Sequence, residues 1–238
     1  MAFRTFTIRL AASTELSSFT KHLEFEVVGA ERFGFVPGQW LSLKAQDSGN
    51  EITRAYSIAS APSENNRFAL CLNRVQDGFM SNYLCDLPVR GEIEASGPFG
   101  DFILRPPLRD TVMIATGTGV APFRSMLQWL FADPARNAVN QFWLVFGSRH
   151  EADIYYHAEF QQLALTHKNF HYLPTLSRGG AEWPGLRGYV QEHVSGIVAG
   201  RSDVQAYICG LDRMVSANRD LLKGLGWDRK AIRYEKYD

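Results

Sequence analysis

An arginine, an aromatic residue and a hydroxyl residue lie close together in the segment Arg54-Ala55-Tyr56-Ser57. The segment reads as an extended strand that stops before Pro62. Because side chains alternate between the faces of a strand, Arg54 and Tyr56 share one side. A planar aromatic ligand that carries phosphates would use all of these groups: Tyr56 to stack, Arg54 to pair with a pyrophosphate, and Ser57 to hydrogen-bond a ring nitrogen.

A helix start is expected at Gly78-Phe79-Met80-Ser81. A glycine followed by a hydroxyl residue at a helix start leaves backbone N–H groups at the positive end of the helix dipole, where a phosphate group binds. Two interpretations of Ser81 stay open: a residue of a phosphate-binding turn, or a plain N-cap of the helix.

A glycine-rich turn follows an apolar run at residues 112–115 and precedes an amphipathic stretch from Phe123 to Phe131. A strand, a glycine-rich turn and a helix in this order bring backbone N–H groups to the phosphates of a dinucleotide. The third glycine of the usual dinucleotide fingerprint does not occur here. The residues of the turn are Thr116, Gly117, Thr118 and Gly119.

The elements that position these motifs fall into two halves. Short period-two runs up to about residue 105, separated by turn signals such as Pro37-Gly38, predict an antiparallel β-barrel or sandwich with one helix. Pro106-Pro107 marks the expected boundary. Beyond it, strands alternate with helices, which predicts an α/β domain with a parallel sheet covered on both faces. The expected domains are residues 1–105 and 106–238.

The second half is expected to place its loops at one edge of the sheet, because ligands bind beyond the carboxyl ends of parallel strands. The expected strands are 142–146, 170–176, 206–209 and 232–237, and the expected helices are 152–166, 189–195 and 214–223. The loops at that edge are Gly147-Ser148-Arg149, Ser177-Arg178 and Cys209-Gly210-Leu211.

Three segments, Arg-Ala-Tyr-Ser, Gly-x-x-Ser and Gly-Thr-Gly-Val-Ala-Pro, resemble at compatible spacing the motifs of the ferredoxin–NADP reductase family. The resemblance implies that the β-domain binds FAD and that the α/β domain binds NADP. It implies flavin contacts from Arg54, Ala55, Tyr56, Ser57, Gly78, Phe79, Met80, Ser81, Thr116 and Tyr237.

The choice of nicotinamide nucleotide depends on the loop after the strand that ends at Leu176, where Ser177-Arg178 stands in place of an acid. An NAD site usually places an acid against the ribose 2′-hydroxyl, whereas an NADP site places cations and hydroxyls against the 2′-phosphate. NADPH is therefore favoured, and solvated loop arginines are the alternative. The resemblance implies contacts to the 2′-phosphate and the adenine from Arg149, Ser177, Arg178, Arg187 and Tyr189.

The last part of the chain resembles the nicotinamide pocket of the family, with Cys209-Gly210 followed by Met214 and a C-terminal Glu235-x-Tyr237. In the family this tyrosine covers the flavin; plant-type members end on it, whereas Asp238 follows here. A buried cysteine that packs as a small apolar residue is the alternative for Cys209. The resemblance implies NADP contacts from Gly117, Thr118, Gly119, Cys209, Gly210 and Met214, and catalytic roles for Ser57, Cys209, Glu235 and Tyr237.

Charge and cysteine content limit the class of protein. The chain of 238 residues carries 25 basic and 25 acidic residues, so its net charge indicates no nucleic-acid or membrane partner. The three cysteines, Cys71, Cys85 and Cys209, are too few and too scattered for a disulfide framework, a structural zinc site or an iron–sulfur cluster. Arg4 and Arg9 interrupt the N-terminal apolar residues, so a cytoplasmic protein is expected. We also expect no bound metal ion.

The resemblance implies a flavoenzyme that takes hydride from NADPH onto FAD and passes single electrons to a separate carrier, ferredoxin or flavodoxin. We expect a monomer. Two alternatives stay open: an NADH-dependent reductase component of an oxygenase or free-flavin reductase, and a flavin-containing electron-transfer subunit that does not turn over a nicotinamide nucleotide.

Overall fold

A computed structural model describes residues 5–201 and 203–237, so Asp238, and with it the expected effect of an extra residue after Tyr237, lies outside the described residues. The chain forms two compact units. The first contains the residues up to Leu104 together with Ala121–Trp129, and the second contains Arg105–Val120 and the residues from Leu130 onward. Among the described residues, no helix combines the length and the apolar character needed to cross a membrane.

The first unit is built on a six-stranded antiparallel sheet, as the period-two pattern predicts. The order of its strands is β4-β3-β6-β1-β2-β5. Just past β4, Ile58 forms an antiparallel bridge with Leu70 of β5, which closes the sheet toward a barrel. The strands are Thr5–Ser17 (β1), Thr20–Val27 (β2), Trp40–Asp47 (β3), Asn50–Ser57 (β4), Arg67–Asn73 (β5) and Glu92–Phe99 (β6).

Alternation along the strands gives this unit one continuous core. In β2, for example, Leu23 and Phe25 are fully buried, whereas Glu24 between them lies on the outer face. The helix Phe79–Asp86 (α1) packs its buried residues Met80 and Leu84 into the same core. The predicted β-domain with one helix of its own is therefore observed.

A second helix, Ala121–Phe131 (α2), contacts the first unit through residues 121–129. The Ser125 hydroxyl donates to the Ser60 carbonyl oxygen at 2.6 Å. Gly38 has φ of +100°, and a Cβ built on it would lie 2.6 Å from Met126 Cε and 2.0 Å from the Phe102 carbonyl oxygen. The sequence analysis placed this helix in the α/β half, after the expected boundary. Periodicity shows that a helix forms, but it does not show which unit the helix packs against.

The second unit contains a six-stranded parallel sheet with the order β10-β9-β8-β7-β11-β12. Its strands are Thr111–Thr116 (β7), Phe142–Ser148 (β8), Phe170–Leu176 (β9), Leu186–Arg187 (β10), Gln205–Leu211 (β11) and Ile232–Tyr237 (β12). Its helices are His157–Thr166 (α3), Val190–Val198 (α4) and Asp212–Gly224 (α5).

Both faces of this parallel sheet are covered, as predicted. Helices α4 and α5 pack Val194 and Val215 against the face that carries Val112 and Ile208. Helix α3 lies on the opposite face, where the rings of Phe160 and Tyr172 have centroids 5.4 Å apart. The carboxyl ends of the strands are left for the loops that follow them.

Two boundaries differ from the sequence-based expectation. The extended segment from Arg54 leaves the sheet after Ser57 instead of continuing as a regular strand to Ser60. The helix expected at 152–166 begins at His157, because Tyr156 adopts a left-handed conformation with φ of +58° that a helix cannot include.

The contact between Ser125 and Ser60 gives a testable consequence for stability. Ser125 is fully buried, so Ser125→Ala removes a short hydrogen bond and leaves the Ser60 carbonyl oxygen without that donor. We expect the free energy of unfolding, measured by urea denaturation, to fall by about 1–3 kcal/mol. The matched control is Ser216→Ala, since the Ser216 hydroxyl makes only a 3.5 Å contact with Asp212. Equal effects of the two substitutions would contradict a structural role for Ser125.

Candidate active site

The end of β4 and the start of α1 form the candidate site of the first unit. Tyr56 is half-buried against the core, and burial raises the pKa of its phenol to about 12 although the charge of Arg54 opposes the shift. The Arg54 side chain is exposed and donates to the Thr53 carbonyl oxygen at 2.8 Å. Ser57 is buried at the end of the strand. A neutral aromatic ring therefore lies beside an exposed cation, as the sequence pattern predicts for a stacked phosphate-bearing ligand.

The loop before α1 is fixed by side chains of the helix itself. The Ser81 hydroxyl accepts from the Val75 N–H and donates to the Gly78 carbonyl oxygen, both at 3.1 Å. The Asn82 amide donates to the carbonyl oxygens of Val75 and Gly78, and Arg74 donates to the Asn82 amide oxygen. Sequence reasoning missed Arg74 and Asn82, although Asn82 directly follows the motif.

The N-cap of α1 is Gly78, and Ser81 is the third residue of the helix. The interpretation of Ser81 as a plain N-cap is therefore wrong. A Cβ on Gly78 would lie 2.8 Å from Ser81 Oγ and 3.0 Å from Val75 Cβ, so the loop fits only a glycine. The N–H groups of residues 79–81 precede the first intrahelical donor, Asn82, and have no intrahelical acceptor. This arrangement fits the binding of a pyrophosphate.

The glycine-rich turn after β7 belongs to the candidate site of the second unit and lies against the end of β11. A Cβ on Gly119 would lie 2.3 Å from the Cys209 carbonyl oxygen. Gly210 has φ of +140°, and a Cβ there would lie 2.5 Å from Thr116 Oγ1 and 3.1 Å from Met214 Cε. The structure thus brings together the turn residues and the Cys-Gly-x-x-x-Met element, which are about 90 positions apart in sequence.

Thr116 has a buried hydroxyl at this junction for which the described residues supply no hydrogen-bond partner. An unsatisfied buried hydroxyl costs free energy unless a ligand or water completes it. Together with two glycines that let the turn and the end of β11 approach closely, it fits a nicotinamide nucleotide, whose amide and hydroxyl groups are hydrogen-bond donors and acceptors.

The catalytic candidates of the second unit lie on its last two strands. Cys209 pairs in register with Glu235, and a hydrogen bond links the Cys209 thiol to the Tyr237 side chain. Burial and the adjacent Glu235 carboxylate raise the pKa of Cys209 well above its ordinary value, so the thiol stays protonated. Burial raises the pKa of Glu235 to about 7, so its carboxyl group exchanges a proton near neutral pH. Ser57, the fourth candidate, lies in the first unit.

The residue before Tyr237, Lys236, links the end of β12 to helix α5. Lys236 forms an ion pair with Asp212, the first residue of α5, and this contact lowers the pKa of the Asp212 carboxyl group. The Tyr237 side chain itself is half-buried.

The loops after β8 and β9 run side by side and form another part of the candidate site of the second unit. The Ser177 N–H donates to the Ser148 carbonyl oxygen, and the Arg178 N–H donates to the Arg149 carbonyl oxygen, both at 3.0 Å. The side chains of Arg149, Ser177 and Arg178 are exposed. Two cations and a hydroxyl therefore lie on adjacent backbone segments, which is the arrangement expected for a 2′-phosphate.

Arg187 differs from the sequence-based expectation that it contacts the 2′-phosphate. Its guanidinium donates to four backbone carbonyl oxygens of the preceding loop, those of Gly179, Gly180, Ala181 and Trp183, at 2.8–3.1 Å. These hydrogen bonds hold residues 179–183 of the loop against the Arg187 side chain of the short strand β10. Spacing alone could not show this, because a basic residue near a phosphate loop has the same sequence pattern whichever acceptor it takes.

The same loop is anchored at its other end by residues that sequence analysis did not identify. The Trp183 ring is buried, and its N–H donates to the Leu186 carbonyl oxygen at 2.8 Å. The buried Thr175 hydroxyl donates to the Gly188 carbonyl oxygen at 3.0 Å. Tyr189 follows as the N-cap of α4 with its side chain 63% exposed, so its ring is accessible to a ligand. A tryptophan in a loop rich in glycine was the available signal.

The bonding of Arg187 predicts a local loss of order when it is replaced. In Arg187→Gln we expect amide hydrogen exchange over residues 179–185 to accelerate by at least about tenfold, since several hydrogen bonds to a charged group are lost. The matched control is Arg178→Gln in the same loop, whose side chain is exposed. Hydrogen-exchange mass spectrometry measures both variants. Unchanged exchange in Arg187→Gln would contradict its role in the loop.

The raised pKa of Glu235 predicts a pH-dependent stability. The folded state binds this proton more tightly than the unfolded state, for which the ordinary pKa is 4.5. The contribution of Glu235 to stability therefore falls as pH rises from about 4.5 to about 7 and is constant above that range. Relative to wild type, Glu235→Gln should gain about 1–2 kcal/mol between pH 5 and pH 8, with allowance for partial exposure. Urea denaturation at several pH values tests this, and a pH-independent difference would contradict it.

Comparisons with known proteins agree with this arrangement of motifs. Residues 7–103 match the family model described as an oxidoreductase FAD-binding domain, and residues 113–220 match the one described as an oxidoreductase NAD-binding domain. The chain is 44% identical to ferredoxin–NADP reductase B of Sorangium cellulosum over 98% of both chains.

Other relatives are longer than this chain. It is 32% identical to the glycine betaine monooxygenase reductase subunit of Chromohalobacter salexigens over 86% of this chain, but that match spans only 56% of the relative. Among solved structures, the cytochrome P450 reductase of Amycolatopsis superposes with a TM-score of 0.87 at 28% identity, over 98% of this chain and 70% of that one.

The identity to the Sorangium protein extends over both domains, and the two family models confirm the predicted FAD-binding and nicotinamide-nucleotide-binding halves. This chain is an oxidoreductase that belongs to the ferredoxin–NADP reductase family.

Proposed function

We propose that this protein is an NADPH-dependent reductase that delivers single electrons to a separate carrier of the ferredoxin or flavodoxin type. The nucleotide choice rests on one observation: Arg149 and Arg178 lie on backbone segments joined by hydrogen bonds, with Ser177 beside them. These groups suit a 2′-phosphate, whereas an NAD site would place an acid there. The Sorangium relative, a ferredoxin–NADP reductase by name, agrees with this proposal.

In this proposal the residues of each unit bind and orient the two cofactors. Arg54 and the N–H groups at the start of α1 hold the FAD pyrophosphate, and Tyr56 packs against the flavin ring. The turn Thr116–Gly119 and Gly210 hold the nicotinamide end of NADPH. When bound, FAD accepts a hydride and gives up its electrons one at a time.

Cys209 and Glu235 have separate roles in this proposal. The Cys209 thiol stays protonated, so it borders the nicotinamide as a neutral group. Glu235 has a pKa near 7, so its carboxyl oxygen can hold or release a proton during turnover. The Tyr237 side chain is hydrogen-bonded to Cys209, so in this proposal it lies beside the nicotinamide site as well.

The carrier and the location are part of the proposal. We infer one protein carrier outside this chain and a cytoplasmic, monomeric enzyme; the three cysteines are buried free thiols, which is compatible with a reducing compartment. The glycine betaine monooxygenase reductase subunit makes an oxygenase the alternative recipient of the electrons. The preference for NADPH over NADH does not show whether a protein carrier or an oxygenase receives the electrons. The recipient is therefore tested by direct reduction of each candidate.

The nucleotide proposal predicts a selective effect of Arg178→Ala. NADH has no 2′-phosphate, so loss of this cation should raise KM for NADPH by at least about tenfold and leave KM for NADH nearly unchanged. Steady-state kinetics with an artificial electron acceptor measure both values. The matched control is Arg32→Ala, an exposed arginine of the first unit that pairs with Glu64. Equal losses with both nucleotides would show that Arg178 has only a structural role.

A further inference from the structure

A polar cavity in the first unit is formed by residues other than the motif residues of the flavin half. Its volume is about 200 Å³, and it lies on the outer face of β2 and β5 next to α2. His22 and Glu24 project into it from β2, where they alternate with the buried Leu23 and Phe25. Its polar lining includes His22, Glu24, Ser60, Arg67, Arg124 and Gln128.

Two walls of this cavity are fixed by hydrogen bonds to the segment 59–61, which follows β4. Arg124 donates to the Ala59 carbonyl oxygen at 2.8 Å, and the Gln128 amide oxygen accepts from the Ala61 N–H at 2.9 Å. The two side chains are one turn apart on α2 and therefore share a face. The Ser60 hydroxyl accepts from the Ala69 N–H at 2.9 Å, so its own proton is directed to another acceptor. The guanidinium, amide and hydroxyl are thus held in place before any ligand arrives.

The charges around this cavity favour an anion. Arg67 lies 3.9 Å from Glu26, but Glu26 makes a closer pair, at 3.2 Å, with Arg9, so the charge of Arg67 is only partly neutralised. Burial and the charge of Arg124 lower the pKa of His22 to about 4, which leaves its ring neutral at pH 7. Two guanidinium groups therefore face a single carboxylate, that of Glu24.

We propose that this cavity is a binding site for a small oxyanion, a free phosphate or the phosphate group of a small metabolite. Arginine side chains bind oxyanions through paired charge-assisted hydrogen bonds, and hydroxyl and amide groups supply further donors. Because one water occupies roughly 30 Å³, the space suffices for a tetrahedral anion and several waters. The bound anion connects Arg124 of α2 with Arg67 of β5, and so stabilises the packing of α2 on the first unit.

His22 provides a direct test in the FAD-loaded enzyme. Its Hε1 proton NMR signal, assigned by its loss in His22→Asn, is followed against pH while inorganic phosphate replaces sodium chloride at constant ionic strength. An anion beside Arg124 adds a negative charge near His22, so phosphate should raise the pKa of His22 in a saturable manner. Burial and the charge of Arg124 set the starting pKa, and Arg67 and Glu24 are the other charged groups that line the cavity.

Three substitutions locate the site. Arg67→Gln should weaken phosphate binding by at least about threefold, as expected for loss of a partly exposed cation, and Glu24→Gln should tighten it by a similar factor. Glu24→Gln is informative because its expected effect is a gain in phosphate affinity, which misfolding would not produce. Arg32→Gln is the control, since Arg32 pairs with Glu64 outside the cavity.

The ligand source is resolved by repeating the titration with AMP in place of phosphate. Saturation by inorganic phosphate at lower concentration identifies a free oxyanion as ligand, and saturation by AMP at lower concentration identifies a phosphate group on a larger molecule. A His22 signal that responds to neither, or a phosphate affinity that is the same in Arg67→Gln, Glu24→Gln and Arg32→Gln, would overturn the proposal.

Discussion

The close approach of the glycine-rich turn to the end of β11 is the constraint on which the second unit depends. Any side chain at Gly119 would overlap the Cys209 backbone, and any side chain at Gly210 would overlap Thr116. The neighbouring strands β7 and β11 of the parallel sheet can therefore end side by side only because both positions are glycine. This contact brings the turn, Cys209 and Met214 together.

The sites of the two units distribute charge in a similar way. The groups close to the expected ring systems are neutral at pH 7, because burial keeps the Tyr56 phenol and the Cys209 thiol protonated. The cations, by contrast, are exposed on loops and strand edges, where phosphates would bind: Arg54 in the first unit and Arg149 and Arg178 in the second. Glu235, with a pKa raised by burial to about 7, can change charge under physiological conditions.

Much of this arrangement could be predicted from the sequence because it is encoded locally. Period-two and apolar runs predicted the strands, and Gly78 and Gly119 marked turns where a Cβ would lie too close to neighbouring atoms. Gly117 has open space around it but adopts a positive φ of +56°, which favours glycine. Pairings across the sheet were less accessible: the register that joins Cys209 to Glu235 depends on distant residues, and the resemblance to a family, not periodicity, suggested it.

Features that depend on specific acceptors could not be predicted. The sequence shows that Arg187 is basic and near a loop, but only the structure shows that its guanidinium binds four carbonyl oxygens of that loop. The late start of α3 depends on the backbone conformation of Tyr156, a residue type that rarely adopts positive φ. The packing of α2 against the first unit rests on Ser125 and Gln128, which read in sequence as ordinary helix residues.

In the proposed function, two electrons enter this protein as a hydride from NADPH and leave one at a time to another molecule. The most direct measurement is an anaerobic titration in which the purified enzyme, NADPH and an excess of oxidised ferredoxin or flavodoxin are mixed and both reactions are followed by absorbance. The account predicts about two reduced one-electron carriers for each NADPH oxidised. Oxidation of NADPH without the appearance of any reduced one-electron carrier would contradict it.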